Sequence, residues 1–268
     1  MDKIEQIENL MYSYNDWSRV AHGKGPNYCF EIEKNDQILF YFGANHSRDI
    51  NNLQYEKLRK YWQNFFEKTK GLDSIVLVEG GTRQVHENEE LAARRDSEAG
   101  FITLLANRVG IVTNSPEPNP LDERRYVLKN FSEDELDYYY FSRLVNAWHS
   151  MLEPKSSFEK YIERYSQKKP EIKNWKDYGF PLKKMREVHQ KILKSDFAQN
   201  DKELFSLLVN PTKKENPLYQ VVRATSTYRN IFVVQEIEKL WHDNKNIFVV
   251  YGGAHPILQE PALRTLLK

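Results

Sequence analysis

Two texture classes alternate along the chain, short β-branched or aromatic runs that end abruptly in glycine and longer stretches with apolar residues three or four positions apart. The first residues space Ile4, Ile7, Leu10 and Met11 at helical intervals, which predicts an amphipathic opening helix. "YCFEIEKNDQILFYFGA" then carries two apolar runs around the polar "KNDQ", the pattern of a β-hairpin. In "LQYEKLRKYWQNFFEKTK", Leu53, Leu58, Tyr61, Trp62 and Phe65 fall on one helical stripe, closed by Gly71. "SIVLVEGG" is short, continuous and β-branched, as in a strand covered on both faces. "EELAARRDSEAGFITLLANRVG" reads as helix and "IVTNSPEP" as a short strand halted by prolines.

From 120 to 222 the texture changes. The segment is rich in tyrosine and lysine, its strongest helical patterns being "DELDYYYFSRLVNAWHSM" and "SSFEKYIERYSQKKPEIKNW", and no strand-like run interrupts it. The core pattern resumes with Ile231, Val234, Ile237 and Trp241 on one helical face and then the strand "IFVVYGG". The expected architecture is therefore a single α/β domain over 1–268. It has a central, mostly parallel sheet, helices on both faces, and a helical insertion over 120–222 acting as a cap.

Composition narrows the function. Lys and Arg total 39 against 38 Asp and Glu, so the net charge of +1 gives no field for a polyanion, and no nucleic-acid partner is expected. No window approaches eighteen apolar residues, so no membrane partner is expected either, and the acidic start lacks the pattern of a secretory signal. Cys29 is the single cysteine, which suits a reducing compartment; the cytoplasm is the expected location. The remaining partners are a small-molecule or peptide substrate and, through the aromatic "YYYFSRLVNAW", a second copy of the chain in a homo-oligomer.

The chemistry lies where strands stop. "GANH" (43–46) and "GGAH" (252–255) each follow an apolar strand, giving Gly-x-x-His twice, in what reads as a pseudo-duplicated core. Ligands in open α/β sheets bind beyond the carboxyl ends of the strands. His46, Glu79, Glu117 and His255 all fall at such ends. If the strands are neighbours, two imidazoles and one or two carboxylates could hold Zn²⁺, Mn²⁺ or Co²⁺ and activate a water. Each residue also has an ordinary structural role open to it. A histidine after a strand can bond a loop carbonyl, Glu79 can pair with Arg83, Glu98 in "RRDSEAG" can serve as a helix N-terminal charge, Glu117 can be a solvated loop acid, and Arg229 a surface helix residue. His22, His86, His149, His189 and His242 lie in polar or helical contexts and are assigned such roles.

"GANH", "VEGG", "DSEAGFITLLA" and "RNIFVVQEIEKLWHDNKNIFVVYGGAHP" together resemble the TraB/Tiki superfamily, related more distantly to erythromycin esterase-like and ChaN-like proteins. The resemblance covers both ends of the chain and skips its middle. It departs at Ala44 and Asn45, where better-known members often place threonine after the first glycine. It implies a metal-ligand or catalytic role for His46 and His255 and an acidic role for Glu79, with Glu98 and Arg229 behind them. The resulting expectation is a metal-dependent hydrolase of peptide or ester bonds. His46, Glu79 and His255 hold a divalent Mn, Co or Zn ion, Glu98 or Glu117 is the general base, and Arg229 steadies the oxyanion. Two alternatives use the same residues, a metal-independent esterase and a haem-type ligand-binding protein.

Overall fold

A computed structural model describes residues 2–25, 27–151, 155–166 and 181–268. The chain divides into two compact units, one formed by Met1–Pro118 with Arg229–Lys268 and the other by Asn119–Tyr228.

The first unit is built on a five-stranded sheet of order β1-β2-β5-β3-β4, comprising β1 (Cys29–Lys34), β2 (Gln37–Ala44), β3 (Ser74–Val78), β4 (Val112–Asn114) and β5 (Asn246–Gly252). The hairpin β1-β2 is antiparallel, and all other pairings are parallel. Asn35 and Asp36, both with positive φ, form the two-residue connection, the backbone hand that suits a right-twisted hairpin. The expected α/β class and mostly parallel sheet are therefore present.

The continuous apolar runs have a direct cause. β5 is the middle strand and every one of its residues is buried, because alternate side chains enter two separate cores. Phe40, Phe42, Phe248 and Val250 face one core with Leu58, Trp62, Phe65, Phe101 and Ile102 from helices α3 (Leu53–Thr69) and α4 (Glu89–Arg108). Leu39, Tyr41, Ile247, Val249 and Tyr251 face the other. There they meet Ile7 of α1 (Lys3–Leu10), the Ile231 to Trp241 face and Leu263 of the last helix, while the short α2 (Trp17–Val20) precedes β1. The Ile231, Val234, Ile237 and Trp241 stripe is buried as expected.

The α3 stripe is right in its body and wrong at its start. Leu53 is 81% exposed, because Asn52 caps the helix there and the first turn projects outward, so Gln54 and Tyr55 take the buried positions.

In the second unit, α5 (Pro120–Val127), α6 (Glu133–His149), α7 (Phe158–Ser166), α8 (Leu182–Leu193) and α9 (Lys202–Leu208) enclose their own core. Leu136, Tyr138, Phe141, Val145, Met185, Phe205 and Val222 are buried in it, which accounts for the aromatic density of 120–222. Ser132 and Glu135 form a reciprocal capping box at the start of α6. No strand occurs among the described residues of this unit. The expected helix over 156–175 is present from Phe158 to Ser166; beyond Ser166 the expectation lies outside the described residues. Helix α10 (Tyr219–His242) begins in this unit and continues in the first from Arg229, and α11 (Ala254–Leu266) ends the chain. Among the described residues no helix is long and apolar enough to cross a membrane.

Candidate functional site

The two Gly-x-x-His segments lie side by side because β2 and β5 are parallel neighbours, with Gly43 opposite Tyr251 and Ala44 opposite Gly252. Each first glycine makes room for the other segment. A Cβ at Gly43 would sit 3.2 Å from the Gly253 Cα and 2.9 Å from Pro256 Cγ. A Cβ at Gly252 would come within 2.7 Å of His46 Nε2 and 3.1 Å of Glu79 Oε2. The Gly253 N–H donates to the Ala44 carbonyl at 2.8 Å, tying the segments together. The copies are not conformational repeats, however. His46 lies in a non-helical loop with φ of 55°, whereas His255 is in the first turn of α11, so the pseudo-duplication stops at the strands. A non-glycine residue at positive φ is strained, and strain of this kind gathers at functional sites.

Glu79, one residue past β3, stands between the imidazoles. Its Oε2 is 3.6 Å from His46 Nε2 and its Oε1 is 3.5 Å from His255 Nε2. The carboxylate is positioned by two further donors, Arg229 Nη1 to Oε1 at 2.9 Å and the Gly252 N–H to Oε2 at 2.6 Å. Burial opposes its charge, but the imidazolium form of His255 and the Arg229 guanidinium outweigh burial and hold its pKa well below the usual carboxylate range. Arg83 does not pair with this carboxylate. Its guanidinium instead donates to the backbone carbonyls of Glu79 and Gly80, at 2.8 Å each, and fixes the strand-end turn.

Glu98 approaches His46 from the opposite side. It belongs to α4, and the helix breaks immediately before it, at Asp96 and at Ser97 with φ 48° and ψ −143°. The break brings α4 so close to itself that a Cβ on Gly100 would lie 2.7 Å from the Ala92 carbonyl. His86 Nε2 lies 2.6 Å from Asp96 Oδ2 and ties the preceding loop to the kink, a role the isolated sequence context of His86 did not indicate. Glu98 is 1% exposed. Its Oε1 accepts from the Ser47 N–H at 2.7 Å and from Gln54 Nε2 at 2.6 Å. The Gln54 orientation follows from its neighbours, since its Oε1 accepts from Asn45 N and Asn27 Nδ2, both at 3.0 Å. The other Glu98 oxygen, Oε2, is buried without a hydrogen bond and faces His46 Nδ1 at 3.6 Å.

His46 thus has a carboxylate at each ring nitrogen. Its pKa is raised above the ordinary imidazole value, first by Glu98 and further by the charge of Glu79, against the opposing effect of burial and the Arg229 charge. Its side chain remains 57% exposed, so the ring is accessible.

Arg229 and Glu117 form the outer wall. Arg229 Nε and Nη2 grip both Glu117 oxygens, at 2.7 and 2.5 Å, while Nη1 holds Glu79. The Gly80 N–H also donates to Glu117 Oε1, at 2.8 Å. Burial works against the Arg229 charge, and the two carboxylates overcome it and raise its pKa. These contacts alter two expectations. The oxygens of Glu117 are engaged by a guanidinium, which disfavours its use as a base, and Arg229 is occupied in bridging two carboxylates rather than lying on the surface or pointing at an oxyanion.

Sequence reasoning missed the group behind His255. His255 Nδ1 lies 2.6 Å from Asn230 Oδ1, which also accepts from Gln259 Nε2 at 2.7 Å, and Gln259 Oε1 accepts from the Tyr41 hydroxyl at 2.8 Å. The signal available was the i,i+4 spacing of His255 and Gln259 on one helical face.

As arranged, His46, Glu79 and His255 do not fit a divalent ion. Both Glu79 oxygens already accept strong hydrogen bonds, and the Arg229 guanidinium lies against one of them. Among the described residues no group of three His, Cys, Asp or Glu side chains is placed to hold a metal ion.

No family model, no curated protein and no solved structure matches the chain. The likeness to the TraB/Tiki superfamily therefore rests on the motifs themselves.

Proposed function

We propose that the protein is a hydrolase of ester or amide carbonyls that works by imidazole and carboxylate chemistry, with no metal in the step. The observation that carries this reading is the pair of histidines set on either side of Glu79, one flanked by two carboxylates and the other backed by a neutral amide. Sites that divide acid and base work hold their titratable groups in contrasting surroundings.

In this reading His46 is the general acid. Its charged form is favoured by Glu98 and Glu79, and its exposed ring can reach a leaving group. His255 is the general base. In its neutral form the Asn230 oxygen accepts the Nδ1 proton, which leaves the Nε2 lone pair facing the space beside Glu79. A water there donates one hydrogen to His255 Nε2 and the other to Glu79 Oε1, so its oxygen lone pair is directed outward at the substrate carbonyl. Attack forms the new C–O bond as the water proton passes to Nε2. The bond to the leaving alkoxide or amine then breaks, and the leaving atom takes the His46 proton. Return of the proton from His255 to His46 through solvent closes the cycle. Arg229 keeps Glu79 ionised and stationary throughout.

The test is hydrolysis of a panel of activated aryl esters and the corresponding anilides by wild-type protein, His46→Gln and His255→Gln. The reading expects turnover by the wild type and a loss of about 10²- to 10⁴-fold for each variant, the usual worth of a positioned acid or base. Equal rates for wild type and both variants would remove the proposal.

A further inference from the structure

We infer that Asn230, backed by Gln259 and Tyr41, is a positioning residue that sets the tautomer of His255. This inference rests on the hydrolase reading only for its kinetic consequence.

The direction of the hydrogen-bond chain is decided at its far end. The Tyr41 side chain is fully buried on β2, and among the described residues its hydroxyl has one hydrogen-bond partner, Gln259 Oε1. A buried hydroxyl that cannot donate is costly, so the Tyr41 proton must point to Gln259 and the Gln259 oxygen must be the acceptor. The Gln259 amide nitrogen is thereby turned to Asn230, whose oxygen must receive it at 2.7 Å. That same oxygen lies 2.6 Å from His255 Nδ1, and a carbonyl oxygen cannot donate. His255 Nδ1 must carry a hydrogen. Reversing Asn230 alone would oppose its NH₂ to that of Gln259, and reversing both amides would orphan the Tyr41 O–H.

Tyr41, Gln259, Asn230 and His255 are all buried, so bulk water has little chance to replace a member of the chain. The geometry comes from separate elements. Gln259 and His255 are four residues apart on α11 and converge on Asn230, which α10 presents one residue after Arg229. Adjacent α10 residues thus serve both flanks of the site, Arg229 holding the Glu79 carboxylate and Asn230 holding the ring that faces it. With the proton pinned on Nδ1, the neutral ring can present Nε2 only as an acceptor. The opposite tautomer would present an N–H to Glu79 and leave nothing to take a proton from water.

The experiment is a side-chain ¹⁵N–¹H correlation spectrum of His255, assigned by its loss in His255→Gln, recorded for wild type, Asn230→Asp, Asn230→Leu and Tyr41→Phe above the ring's titration. The wild type should show the Nδ1–H tautomer. Asn230→Asp retains the acceptor and should retain that tautomer. Asn230→Leu should move the ring toward Nε2–H and lower kcat about 10²-fold with little change in KM. If Asn230→Leu fails to fold, Tyr41→Phe, which lets the chain reverse at the loss of one hydroxyl, should give a mixture of both forms. An Nε2–H ring in the wild type, or a ring unchanged in both Asn230→Leu and Tyr41→Phe, would overturn the inference. A tautomer that shifts as expected in a protein without esterase or amidase activity would uphold the positioning role while refuting the hydrolase reading.

Discussion

Replacing Gly252 by alanine separates the role of the site from the role of the fold. The added Cβ would lie 2.7 Å from His46 Nε2, roughly 0.7 Å short of the 3.4 Å at which ordinary contact begins, and 3.1 Å from Glu79 Oε2. Glu79 is clamped by Arg229 and by the Gly252 N–H, so it cannot retreat far. His46 sits on an exposed loop and will be the group that moves. Its displacement of somewhat under 1 Å is on the scale at which misplacing a reacting group costs up to about 10²-fold, so a loss of 10- to 100-fold in kcat/KM is expected. Stability should respond in the opposite sense or hardly at all. Gly252 lies in a strand, outside the left-handed region, where alanine restricts the unfolded chain and can stabilise by about 0.5 kcal/mol. The assay pairs ester hydrolysis with urea unfolding of the same variant. Full activity, or inactivity explained by a destabilisation above about 2 kcal/mol, would refute the packing of His46 on this glycine.

Three further outcomes are expected. The raised pKa of His46 places its stabilising contribution fully below about pH 6.5 and removes it as pH rises through the folded pKa, while the depressed pKa of Glu79 places its contribution above about pH 4.5 and removes it as pH falls through its folded pKa. Unfolding free energy measured against pH should therefore crest between those values, and His46→Gln should flatten the alkaline side alone. Glu98→Gln removes the largest cause of the His46 shift, so the alkaline limb of the pH–rate profile should move to lower pH; an unmoved limb would exclude His46 as the acid. Ser97→Gly should raise stability by about 1 kcal/mol, the strain at φ 48° and ψ −143° exceeding the entropic cost of glycine, and denaturant titration will show whether it does.

The sheet was legible because burial on two faces leaves an unmistakable trace. "IVLV" and "IFVV" have no polar position, and such runs closing on a glycine turn mark the edge where ligands bind. His46, Glu79, Glu117 and His255 could be picked out for the same reason, each lying at a strand end, whereas Glu98 and Arg229 stand out only through the family resemblance. Their division of labour could not. The pairing of Arg229 with Glu117 depends on contact across 112 positions of sequence, and "PEP" looks the same whether its acid is solvated or gripped. The break in α4 was hidden because "RRDSEAG" contains no proline, and Ser97 adopts its strained angles only because Gly100 lets the helix fold close and His86 ties down Asp96. Asn230 and Gln259 were hidden in helical patterns where polar residues usually mean solvent, although both are buried here. Leu53 illustrates the reverse error, an apolar residue in register with a buried stripe but placed one turn too early to reach the core.

The most direct test of the central claim is the rate of ester hydrolysis by protein stripped with a strong chelator, its metal content verified by elemental analysis, before and after addition of Mn²⁺, Co²⁺ or Zn²⁺. An acid–base site made of His46, His255 and Glu79 predicts undiminished turnover in the stripped protein and no gain from any of the ions. Activity that vanishes on stripping and returns with one equivalent of an ion would contradict the account, restoring these three residues to the role of metal ligands.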